Sequence, residues 1–161
     1  MEHVVIRKLE HLTGTSAAPK IGYAVETRDR KGPAHKTGAF EGDVVHVQLN
    51  GGLFVARAVV KIGWIGEYYG VDEVRVRTRG SLRAMDAFWT GRPRVGYAAV
   101  AELAQEHWLP APFWAGPRTY GYEWVVLSDD AKRASWLDPK DPPRGGEGLL
   151  AEFEVWLAAR A

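Results

Sequence analysis

Residues 43–49 (DVVHVQL) and 53–62 (LFVARAVVKI) are two runs rich in β-branched side chains, separated only by Asn50-Gly51-Gly52. An Asn-Gly centre accepts the positive φ values of a tight turn, so this stretch is expected to fold back as a β-hairpin. The rest of the chain is punctuated in the same way. Residues 3–9 (HVVIRKL) read as a strand, and residues 20–28 (KIGYAVETR) alternate Ile21, Tyr23 and Val25 with smaller or polar neighbours, the period of a half-buried strand. Residues 73–79 (EVRVRTR) alternate Val with Arg and read as a further strand, with Arg75, Arg77 and Arg79 on one face. Residues 95–104 and 119–127 complete the strand set.

Between these strands lie breaker-rich stretches. Residues 13–19 are small and polar, 29–41 are basic and broken by Gly and Pro, 63–72 are aromatic and Gly-punctuated, and 110–118 are Pro-rich. All four read as loops. Two helices are expected: a short one over 82–89, capped by Ser81, and an amphipathic one over 149–160 with Leu149, Leu150, Phe153, Trp156 and Leu157 on one face. Residues 129–148 read mostly as loop, with Asp129 and Asp130 placed where a turn or helix begins. Alternating β/α units are absent, so the expected class is mainly β, a small barrel with one or two peripheral helices.

At 161 residues the chain has the length of one domain. Residues 1–127 are expected to form the barrel, and 128–161 a C-terminal extension of the same domain. No apolar run reaches the ~18–20 residues of a membrane span, and the first residues have no signal-peptide pattern, so a cytoplasmic protein is expected. The absence of cysteine excludes disulfides and a thiol nucleophile. The five histidines show no HExxH spacing, and neither a Walker loop nor a GxGxxG fingerprint occurs, so no metal or cofactor is expected.

The net charge is only +1, but it is unevenly placed. Residues 1–94 carry 15 basic and 10 acidic side chains, about +5, and residues 95–161 carry 6 basic and 10 acidic, about −4. The basic loop holds Arg28, Arg30, Lys31, His35 and Lys36, an exposed cationic segment able to track phosphates. Trp64, Tyr68, Tyr69, Trp114 and Tyr120 fall in or beside loops, where rings have no regular face to bury on and can stack on bases.

The order of these segments resembles the PUA-like superfamily, in particular its ASCH and EVE branches. KIGYAVETR ends in Glu-x-Arg, as the ASCH signature GxKxxExR does. FEGDVVHVQL is similar to the Gly-Asp strand that follows in these barrels, LFVARAVVKI to the next strand, and TYGYEWVVL to a closing strand. Gly22 stands four residues before Glu26 rather than five, and Ala24 takes the place of the signature lysine. The resemblance implies a pseudo-barrel whose cleft binds RNA or a modified nucleobase. Glu26 and Arg28 would orient each other or read base edges, the loop cations would hold phosphate, and the aromatics would stack. It also implies an alternative, a hydrolase of a modified nucleoside or of RNA, with Lys20, Glu26 and Thr27 as the candidate catalytic groups. The helix over 149–160 is expected to pack on its own barrel rather than to dimerise.

Overall fold

The computed structural model describes residues 1–78, 90–117 and 123–161. The expected hairpin is there. β3 (Val44–Leu49) and β4 (Leu53–Tyr68) pair antiparallel, with Leu49 opposite Leu53 across the turn. Gly51 and Gly52 adopt φ of 115° and 107°, which L side chains rarely take. β1 (Glu2–Arg7) lies parallel to β3 and antiparallel to β6 (Trp124–Leu127). On the other side of the hairpin, β4 pairs with β5 (Gly96–Trp114), and β5 with β2 (Tyr23–Arg28). The result is one mixed six-stranded sheet in the order β2-β5-β4-β3-β1-β6. Its two edge strands, β2 and β6, approach each other, so the sheet curls into a partly open barrel. The chain is mainly β, as expected.

The barrel interior is apolar. Val5, Leu12, Val45, Val47, Leu49, Leu53, Val55 and Trp124 form its core. β3 is buried along most of its length: Val45, Val47 and Leu49 enter the core, while His46 and Gln48, which alternate with them, are buried as polar groups on the other face. Four helices decorate the sheet among the described residues: α1 (Pro33–Thr37), α2 (Val71–Arg77), α3 (Asp130–Leu137) and α4 (Glu147–Ala158). α4 matches the expected amphipathic helix, and it buries Phe153 in the main core. α3 buries Trp136 beside Phe54 and Val125. No helix among the described residues is long and apolar enough to cross a membrane.

Several expectations are corrected. The segment 63–72 is not a loop: β4 runs on through Tyr68, paired with β5 from Gly63↔Ala101 to Tyr68↔Gly96. Gly63 and Gly66 serve close packing rather than turning. A Cβ on Gly63 would lie 2.0 Å from the Ala39 carbonyl oxygen, and one on Gly66 would lie 2.7 Å from the Trp64 ring. The segment 73–79 is not a strand, since residues 71–77 form α2. Val71 and Val74, three apart, pack on Tyr23, Val25 and Tyr68, while Val76 is left exposed. Asp72 and Glu73 in the first turn and Arg75 and Arg77 in the last suit the helix dipole. The Pro-rich segment 110–118 is strand as far as Trp114. Pro110 and Pro112 fall where the β4–β5 register slips, between the pairs Ala56↔Trp108 and Phe54↔Phe113, so their missing N–H groups cost no ladder bond there. The basic loop holds the short helix α1, and α3 replaces much of the expected loop 129–148. Asp129 caps α3 by accepting the Lys132 N–H at 2.7 Å. The helix expected over 82–89, Arg79 and the first residues of 119–127 lie outside the described residues.

Candidate nucleic-acid interface

The period of β2 puts Glu26 and Arg28 on one face of the sheet and Thr27 on the other. Across the ladder, Arg28 stands opposite Tyr97, and Tyr97 opposite Glu67, so these three side chains share one rung of β2, β5 and β4. The strands meet closely here because Gly96 lacks a side chain: its Cβ would lie 2.2 Å from the Arg28 carbonyl oxygen. Tyr69 follows directly after β4 and is 72% exposed. After β2, the chain turns back and brings Asp29 and Lys31 to the same end. The Lys31 ammonium lies 5.3 Å from the centre of the Tyr97 ring. Asp29, Glu67, Tyr69, Val95, Gly96 and Tyr97 line a cavity of about 220 Å³ at this point.

Polar groups, some buried and some half-buried, border the apolar core along β2. Glu26 is 1% exposed; its Oε1 accepts the Arg28 Nε–H at 2.9 Å, and its Oε2 has no close partner among the described residues. Burial pushes the Glu26 carboxyl above its usual range; the Arg28 guanidinium opposes this, and the Glu123 carboxylate adds repulsion. His35 anchors the basic segment. Its Nδ1 accepts the Gly32 N–H at 2.9 Å, which leaves the proton on Nε2, and Nε2 donates to the Glu26 carbonyl at 3.1 Å. Burial holds the His35 pKa below its ordinary value. Arg7 is half-buried and donates to the Tyr23 carbonyl. Arg92 grips Glu123 through two hydrogen bonds of 3.1 and 2.9 Å. Glu106 accepts the Ile21 and Gly22 N–H groups at 3.1 and 2.6 Å, fixing the entry to β2. Glu26 and Arg28 form an ion pair at the far end of β2, Arg92 and Glu123 form another, and Arg7 and Glu106 bond backbone groups at its entry.

The residues singled out in the sequence divide accordingly. Tyr69 lines the cavity, Lys31 lies over the ring of the lining residue Tyr97, and Arg28 stands behind Tyr97 in the same rung, outside the lining. Arg30 is exposed beside Lys31, and Lys36 is exposed on α1, outside the cavity wall. Trp64 does not join them. Its side chain is on the opposite face of the sheet, in the Trp64↔Val100 rung, under the Arg77 guanidinium at 4.3 Å. Residues around it, among them the exposed Phe40 and Ile62, line a separate groove of about 380 Å³. Tyr68 and Trp114 are corrections, because both rings are buried as core. The Tyr68 hydroxyl donates to the Pro93 carbonyl at 2.5 Å, and Trp114 closes the inner end of β5 opposite Leu53. Tyr120 lies outside the described residues.

Lys20, Glu26 and Thr27 do not converge. Lys20 is exposed in the segment before β2, where its N–H donates to the Thr13 carbonyl at 2.9 Å, and Glu26 and Thr27 point to opposite faces. Tyr97, Asp29 and Glu67 were not among the sequence candidates. Tyr97 carried no motif of its own, and only the register of β5 against β2 places it beside Arg28.

No protein-family model matches this chain, and no curated protein matches it. Among solved structures, the chain is similar to the N-terminal domain of Staphylothermus marinus McrB, with 13% identity over 93% of each chain and a TM-score of 0.41.

Proposed function

We propose that this chain is a PUA-like barrel that binds RNA or a modified nucleobase at the open end of β2, β5 and β4. The base enters the cavity and stacks on Tyr69 and Tyr97. Arg30, Lys31 and Lys36 form a cationic rim for phosphates, with Arg28 held behind it by Glu26. The observation that carries this reading is the placing of the Lys31 ammonium over the Tyr97 ring, at the mouth of a cavity whose other ring, Tyr69, is exposed. A ring open to solvent and a cation within reach are the two parts of a single-strand binding site.

The test is a salt titration of single-stranded RNA binding. Wild-type affinity falls as salt rises. The Arg30→Ala/Lys36→Ala variant binds more weakly, and its slope is shallower by about 0.7 for each phosphate it no longer neutralises. Tyr69→Ala loses about 1–3 kcal/mol of affinity at every salt concentration, because stacking does not depend on counterions. An affinity that salt leaves unchanged would reject the proposal.

A further inference from the structure

We infer that the base this cavity takes is a cationic one, a nucleobase carrying a fixed positive charge from ring N-methylation, with Asp29 and Glu67 facing that charge. The inference rests on the nucleobase reading above and narrows it. A neutral base stacks on an exposed ring through its π-face alone, without needing an opposite charge beside it. Here two carboxylates, Asp29 and Glu67, line the same small cavity as Tyr69 and Tyr97. Neither makes an ion pair with any described residue. A neutral base seated there would strip water from both acids and return at most N–H hydrogen bonds, with no charge to balance theirs. A cationic base returns a charge to the carboxylates and a cation–π contact to the rings.

The ring face already draws a cation, since the Lys31 ammonium lies 5.3 Å from the Tyr97 centroid. A ligand cation would take over that contact and release Lys31 toward the phosphate. The charges are also in the right order. The cavity wall is acidic and aromatic, while Arg30, Lys31 and Lys36 stand outside it on the adjoining segment. A nucleotide with a cationic base and an anionic phosphate carries the complementary pattern. The same carboxylates would repel a phosphate that entered the cavity, which fixes which end of the nucleotide goes in.

The probes are 7-methylguanosine 5′-monophosphate, whose ring is cationic, and guanosine 5′-monophosphate, whose ring is neutral. Binding is measured by calorimetry on the full chain. The methylated nucleotide is expected to bind about tenfold or more tightly. In Asp29→Asn/Glu67→Gln the preference should collapse toward unity; both acids are exposed, so circular dichroism should confirm an unchanged fold. Single-stranded RNA binding without that preference, or a preference that survives in the double variant, would overturn the inference and leave the nucleobase reading standing. Binding of neither nucleotide nor RNA would overturn both.

Discussion

Glu26 shows how one side chain links the interior to the site. Its carboxyl is buried, satisfied on one oxygen by Arg28 and unmatched on the other. Burial outweighs the guanidinium, so the folded-state pKa lies above the ordinary 4.5. Between 4.5 and that raised value the folded protein holds a proton that the unfolded chain has released, so stability falls as pH rises through this window. Glu106 is raised by burial too and contributes with the same sign. Glu26→Gln removes only the Glu26 share. Urea unfolding followed by tryptophan fluorescence, from pH 4.5 upward, should therefore show a smaller loss of stability in the variant than in wild type. Identical pH profiles would mean that Glu26 is not buried as described. His35 acts in the opposite direction: its lowered pKa gives stability that is present above 6.5 and is lost as pH falls through the folded value.

At the level of elements, the site depends on how tightly β5 approaches β2. Gly96 allows that approach, since a Cβ there would overlap the Arg28 carbonyl. Gly96→Ala should cost roughly 1–3 kcal/mol through forced displacement, and it should weaken RNA binding because Arg28 and Tyr97 share the disturbed rung. Gly148→Ala is the contrasting case. It lies in α4 with open space around its Cβ position, so it should be neutral or stabilising by up to about 1 kcal/mol. Urea midpoints of the two variants that move in the same direction would contradict this account. The elements also show what the sequence could convey. The hairpin at 50–52 was legible because Asn-Gly-Gly leaves the backbone few alternatives, and α4 because five apolar side chains share one face. β4 beyond Gly63 was not, since glycines that admit a neighbouring carbonyl look the same in sequence as glycines that turn a chain. α2 was hidden because Val-Arg alternation over so few residues also satisfies the three-residue spacing of Val71 and Val74.

On the scale of the whole molecule, a partly open barrel brings together what the chain separates. Lys31, Tyr69 and Tyr97 are remote in sequence, and strand pairing sets them around one cavity. The basic segment and the Glu-x-Arg of β2 were visible as candidates. The aromatic partner was not, because burial sorts rings by tertiary packing alone: Tyr68 goes to the core and its neighbour Tyr69 to the surface. Among the described residues other concavities offer themselves, such as the groove by Phe40 and Ile62 and an apolar hollow by Leu9, Val155 and Trp156. The most direct test is therefore to map the binding surface by NMR while single-stranded RNA is titrated into the labelled protein. The account predicts the largest shift changes at Lys31, Glu67, Tyr69 and Tyr97. Changes centred on Phe40 and Ile62, or on Val155 and Trp156, with the β2–β5–β4 end unaffected, would contradict it.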